Sequence, residues 1–202
     1  MSLKIGIDVD GVIADFYTGY ETLTIETAGI DLFGARRYPL EEPPTWNWPE
    51  FYGYTAETMR EVWNRIKNSR DFWYRLGALA DVEAARRLFQ TGADVYFITA
   101  RPGLKAKRQT EAWLALYGMP GATVLLSERK MLCCRALDLD VYIDDKSENI
   151  ENIDAVTPDT YGYLISRRYN AYAEVRYRVG GIDAAIAHYT VASCGGLKTA
   201  AA

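Results

Sequence analysis

Two acidic pairs stand where buried strands should end. Asp8 and Asp10, in the tetrad Asp8-Val9-Asp10-Gly11, follow the apolar run Leu3 to Ile7, and Asp144-Asp145 follow the apolar run Val141 to Ile143. Open α/β sheets place their ligands at the carboxyl ends of such strands. Four carboxylates gathered there would repel, at roughly 4 kcal/mol per pair for a 4 Å separation and an effective dielectric of 20. The expectation is therefore a bound cation. Alternation in an extended strand puts Asp8 and Asp10 on one side, and Gly11 lets the backbone turn sharply. One carboxylate suits a nucleophile or metal ligand, the other a general acid and base. The plainer reading, a turn or a calcium loop, lacks the Glu that a calcium loop needs at its twelfth position.

Three further residues sit at comparable places. Thr99 ends the second strand-like run, in the string Phe97-Ile98-Thr99-Ala100-Arg101-Pro102, where its hydroxyl and the backbone N–H groups after it, from Ala100 on, could cradle a phosphate. Lys130 opens a helical segment, with Arg129 beside it as a rival for the same charge, and Arg101 offers a cation at the rim. Taken singly, each is as well read as an ordinary strand or surface residue.

The elements that must position these groups alternate. Strand-like runs at Lys4 to Val9, Asp94 to Thr99, Thr123 to Leu126, Val141 to Ile143 and Tyr161 to Ile165 are mostly separated by helical patterns, which predicts a parallel sheet covered on both faces. Asp81 is placed to cap a helix carrying Ala84, Ala85, Leu88 and Phe89 that stops near Gly92; further helices are expected over 105–117 and 129–137. Ile182, Ala185, Ile186 and Tyr189 suit a last amphipathic helix, with His188 on its surface. From Asp10 to Asp94 there are 84 positions, far more than the dozen or so a crossover needs. The excess, 17–77, holds four of the seven prolines and four of the five tryptophans. Thr55 is a possible cap there, followed by a Met59, Val62, Trp63, Ile66 stripe. It reads as a small helical cap overhanging the carboxylates, on a core of 1–16 and 78–192, with 193–202 expected to be a disordered tail.

The composition, 49% hydrophobic and 25% charged over 202 residues, is that of a globular protein with a sizeable core. A net charge of −4 gives no basic footprint for nucleic acid or an anionic membrane. No apolar stretch reaches 18 residues and the first strand begins at residue 3, so a cytoplasmic protein is expected. The three cysteines, Cys133, Cys134 and Cys194, have no metal-site spacing and read as free thiols.

Jointly the four signals are specific. Asp-x-Asp-Gly, strand-Thr, Lys and Asp-Asp, in that order over 138 positions, resemble the haloacid dehalogenase superfamily of phosphotransferases, along about residues 3–165. The resemblance implies a Rossmann-like three-layer α/β fold with strand order 5-4-1-2-3. It also implies a cap in the first insertion point, Asp8 as nucleophile forming an aspartyl-phosphate, and Asp10 as general acid and base. Magnesium would be held by Asp8, the Asp10 carbonyl and Asp144, with Asp145 orienting them from behind or binding through water; Lys130, Thr99 and Ala100 would receive the phosphate. The strings Asp8 to Phe16, Phe72-Trp73 and Tyr96 to Pro102 look like the 5'(3')-deoxyribonucleotidase family, which implies a nucleoside monophosphate with its base stacked on Phe16, and Phe72, Trp73 and Arg101 near the substrate. Other readings stay open here: a phosphatase of a sugar phosphate or other small metabolite, a non-catalytic regulatory protein on the same fold, and a response-regulator receiver domain, although the last has no 60-residue insertion. The natural substrate and the oligomeric state are left open.

Overall fold

The computed structural model describes residues 2–28 and 42–194. Its sheet is built from β1 (Lys4–Ile7), β2 (Asp94–Thr99), β3 (Thr123–Leu126), β4 (Val141–Asp144), β5 (Tyr161–Ile165) and β6 (Arg178–Val179). These lie in the order β3-β2-β1-β4-β5-β6 with every pairing parallel. Read from the other edge this is the expected 5-4-1-2-3 arrangement with a sixth strand added beside β5. Two residues are too few to leave a periodic signal.

Alternation along the strands sorts the two faces. Ile5, Ile7, Phe97, Val141, Ile143, Tyr163 and Ile165 belong to one buried cluster. On that side lie α4 (Val82–Gln90) and α8 (Ile182–Cys194), which touch each other and the sheet, and Trp113 of α5 (Ala106–Leu116). Ile98, Tyr142 and Leu164 belong to the second cluster, with α6 (Lys130–Leu137) and α7 (Ser147–Val156). The result is three layers, as helices on both faces of a parallel sheet require.

Between β1 and α4 the chain forms α1 (Phe16–Ala28), α2 (Trp48–Phe51) and α3 (Ala56–Asn68), with α1 packed on α3. The Thr55 hydroxyl accepts from the Thr58 N–H at 3.1 Å, so the expected cap is formed, and Val62 and Ile66 of the stripe are buried. Trp113 Nε1 donates to the Leu76 carbonyl at 2.8 Å, fastening the end of the inserted segment to α5. Asp81 behaves otherwise than expected. It is itself helical, with ψ −11°, and makes no side-chain cap to its own helix. Its Oδ1 instead accepts from the Ile182 N–H at 2.8 Å and so caps α8. Ser193 and Cys194, expected in a disordered tail, are the last residues of α8; residues 195–202, like Pro39, lie outside the described residues. No described helix is long and apolar enough to cross a membrane.

Candidate active site

Strand register brings the two acidic pairs together. Ile7 is paired with Ile143 on one side and Phe97 on the other, so Asp8, one position further, emerges between the ends of β4 and β2. Its N–H donates to the Ile143 carbonyl at 2.9 Å. The strand ends at Ile7, and the Asp8 carboxylate is aimed by the turn that follows: the Val9 N–H donates to Asp8 Oδ1 at 2.7 Å. Gly11 adopts φ 76°, and a Cβ there would come within 2.0 Å of Asp145 Oδ2. This is the close approach that requires glycine.

Lys130, the first residue of α6, is buried, whereas Arg129 beside it is exposed. The Lys130 Nζ lies 2.6 Å from Asp8 Oδ2 and 2.9 Å from Asp144 Oδ2. Asp144 also accepts from the Tyr142 hydroxyl at 2.8 Å, the Asn149 side chain at 3.0 Å and the Lys146 N–H at 2.8 Å. Asp145 Oδ2 accepts from the Tyr169 hydroxyl, and the Asp145 carbonyl from Asn170 Nδ2 at 2.7 Å. Sequence reasoning missed Tyr169 and Asn170. They sit on a single 3-10 turn, Arg168–Asn170, after β5, and nothing local marks them.

Electrostatics here is dominated by burial. Loss of solvent, then Asp144, Asp145 and Asp10, push the Asp8 carboxyl well above the usual carboxylate range against the pull of Lys130. Burial and then Asp144 raise Asp145 to about 7. Burial alone would lower Lys130, but Asp144 and Asp8 more than offset it and hold the ammonium charged. Asp8, Asp144 and Asp145 bring their oxygens within 4.8 Å of one another. Three carboxylates against one ammonium leave a surplus of two negative charges, which a divalent cation would cancel. Oδ1 of Asp145 is buried without a hydrogen-bond partner among the described residues, and every donor is a hard oxygen, so the residues fit magnesium. The Asp10 side chain is not in that group.

Its carboxylate goes to Arg101. Asp10 Oδ1 and Oδ2 accept from Arg101 Nε at 3.1 and 2.9 Å, Oδ1 from Arg101 Nη2 at 2.7 Å, and Oδ2 from the Thr99 hydroxyl at 3.2 Å. Arg101 is not the loose rim charge that the sequence suggested. Its side chain is fully buried, with Nη1 donating to Thr110 at 3.0 Å.

A cavity of about 390 Å³ opens over these groups, bounded by Asp8, Asp10, Thr99, Ala100, Lys130 and Arg101 below and by Phe16, Trp46, Trp63 and Trp73. Phe72 does not reach it. That ring lines a separate cleft between α1 and α3, touching Phe16 and Trp73 edge-on. Trp73 is 2% exposed and Trp46 39%, so the freest ring at the cavity is one that the sequence left unassigned. Lys146 lies over its face at 5.2 Å. His188 is exposed on α8, bonded to the Tyr163 hydroxyl at 2.9 Å.

Known proteins resemble this chain in sequence and in fold. A family model described as 5' nucleotidase, deoxy (pyrimidine), cytosolic type C protein matches residues 2–187. A Bacillus cereus protein that carries the provisional name of a nucleotidase is 24% identical over 181 residues, covering 85% of this chain and 86% of that one. Among solved structures, a haloacid dehalogenase-like hydrolase from Streptococcus pneumoniae superposes with a TM-score of 0.61 at 12% identity, over 93% of this chain and 98% of that one. Another from Xanthomonas campestris gives 0.58 at 16%, over 96% and 93%. At these identities the structural likeness speaks for the fold.

Proposed function

The chain belongs to the 5' nucleotidase, deoxy (pyrimidine), cytosolic type C family and is a phosphatase of the 5'-nucleotidase class; from that premise we propose that it hydrolyses nucleoside 5'-monophosphates, with magnesium, through an aspartyl-phosphate on Asp8. The observation that carries this reading is the arrangement at Asp8: a carboxylate at a strand end, 2.6 Å from a buried ammonium and grouped with Asp144 and Asp145, facing a cavity walled by aromatic rings.

In the mechanism, an Asp8 carboxylate oxygen attacks phosphorus in line, the bond from phosphorus to the ester oxygen breaks, and Asp10 gives a proton to the departing 5'-oxygen. In the second step Asp10 takes a proton from water as that water attacks phosphorus, which frees Asp8 and inorganic phosphate. Lys130 offsets charge on the transferring group, and the Thr99 hydroxyl with the backbone N–H groups from Ala100 on receives its oxygens. Magnesium, held by Asp8, the Asp10 carbonyl and Asp144 with Asp145 in support, would supply charge neutralisation at the phosphoryl oxygens. Residues 17–77 act as the cap that chooses the leaving group, over a core of 1–16 and 78–192. Phe16 and Trp73 belong to the wall that receives the base. A cytoplasmic address is part of the same reading, in keeping with three free cysteines.

A panel of nucleoside monophosphates, sugar phosphates and an aryl phosphate, each assayed with magnesium and with EDTA, tests it. Nucleoside 5'-monophosphates should give the highest kcat/KM, and EDTA should abolish every activity. A sugar phosphate preferred over all nucleotides would overturn the substrate class, and undiminished turnover in EDTA the metal.

A further inference from the structure

Arg101 is one of the buried core side chains on which the insert rests. Arg101 spends Nε and Nη2 on the two oxygens of Asp10, at 2.7 to 3.1 Å, and Nη1 on Thr110, whose hydroxyl is fixed in turn on the Ala106 carbonyl at 2.8 Å. Its side chain is 0% exposed against 22% for Asp10, so the guanidinium stands behind the carboxylate and not in front of it. The Trp73 ring covers the guanidinium, with Cζ 4.9 Å from the ring centroid. Trp73 is itself tied down: its Nε1 donates to the Pro102 carbonyl at 3.2 Å, and its backbone N–H to Gln109 Oε1 at 2.9 Å.

We propose that Arg101 is a positioning residue for the reaction: pinned between Trp73 of the insert and Thr110 of α5, its planar fork sets the direction of the Asp10 carboxylate. The proposal rests on Asp10 being the acid and base of the reading above. Two parallel N–H donors fix a carboxylate plane in a way that a single ammonium does not. A ring on one side and a bonded threonine on the other leave the fork few alternative poses. A displacement of about 1 Å in an acid aimed at a leaving oxygen costs on the order of 10²-fold in rate. Arg101 thus acts on the reaction through Asp10, and the closed Trp73 contact is a condition for it.

The test is single-turnover phosphorylation of Asp8 by aryl phosphates of graded leaving-group basicity, at saturating magnesium, with the full-length wild type, Arg101→Lys, Asp10→Ala and the double variant. Arg101→Lys should slow esters with poor leaving groups by about 10²-fold, leave activated esters nearly unchanged, and do no further harm once Asp10 is alanine. A loss uniform across the series, or one that persists in the Asp10→Ala background, overturns the proposal, since the guanidinium would then act on the substrate or on the fold. Should Arg101→Lys fail to fold by circular dichroism, Thr110→Val removes only the far anchor and must show a smaller loss with the same leaving-group dependence; a flat response there overturns it equally. If Asp10→Ala phosphorylates with poor leaving groups at the wild-type rate, the acid assignment of Asp10 is wrong and the proposal goes with it. A loss in that variant, together with an additive Arg101→Lys, rejects the proposal alone.

Discussion

The ammonium of Lys130 lies 2.6 Å from Oδ2 of Asp8, both side chains being almost fully buried. The same nitrogen reaches Asp144 at 2.9 Å, so one cation at the start of α6 ties the end of β1 to the end of β4. Removing one partner of such a buried pair leaves an uncompensated charge, at a cost of about 3–5 kcal/mol. Lys130→Met should therefore melt well below the wild type in EDTA, recover part of the loss with magnesium, and show little phosphatase activity. Thermal melts with and without the metal check this; unchanged melting in EDTA would contradict it.

A dependence of stability on pH follows from the same acids. In the metal-free protein Asp8 and Asp145 are pushed upward by burial, Asp145 to about 7. A carboxyl raised in the folded state contributes stability that is present below its unfolded value and lost as pH rises through its folded value. In EDTA the melting temperature should fall as pH rises from about 4 to about 7. With magnesium the deprotonated acids have a partner, so the gap between the two curves should widen with pH. Parallel curves would show that the metal does not use these carboxyls.

The aromatic wall divides into rings packed inside the insert and Trp46, which stays exposed although Trp48 and Tyr169 meet it edge-on and Lys146 lies over its face. Phe16 has Tyr20, Trp48, Trp63, Phe72 and Trp73 around it at 5.7 to 6.3 Å, whereas Trp46 is 39% exposed. Truncating a packed aromatic costs about 3–5 kcal/mol, and a stacked base contributes about 1–3 kcal/mol. Phe16→Ala should lower stability as well as kcat/KM for a nucleoside monophosphate relative to a small aliphatic phosphate. Trp46→Ala should weaken the nucleotide selectively and lower the melting temperature less than Phe16→Ala does. Equal losses on both substrates from Trp46→Ala would place the base elsewhere.

The acids were legible because buried parallel strands announce where they end, and strand ends in a parallel sheet converge; Lys130, at a helix start, was told from its rival Arg129 only by the family resemblance. The five long strands and the Thr55 cap were legible for the same local reasons. Arg101 was misread because its partners Asp10 and Thr110 come from other elements, and a bare Arg-Pro string reads as exposed. Asp81 has the residue type of a cap for the helix next to it, yet its carboxylate serves one that starts 101 positions later. Trp46 and Phe72 could not be ranked from sequence, because which rings of an aromatic-rich insert face a cavity is decided by packing between its helices.

Whether Asp8 carries the phosphoryl group is decided by acid-quench mass spectrometry of Asp10→Asn mixed with an activated aryl phosphate and magnesium. That variant can still be phosphorylated by a leaving group that needs little protonation, but lacks the base that clears the intermediate. An added phosphoryl group should be found on the peptide containing Asp8, and be absent when Asp8→Asn is combined with Asp10→Asn. A label on any other residue, or one that survives Asp8→Asn, would contradict this expectation.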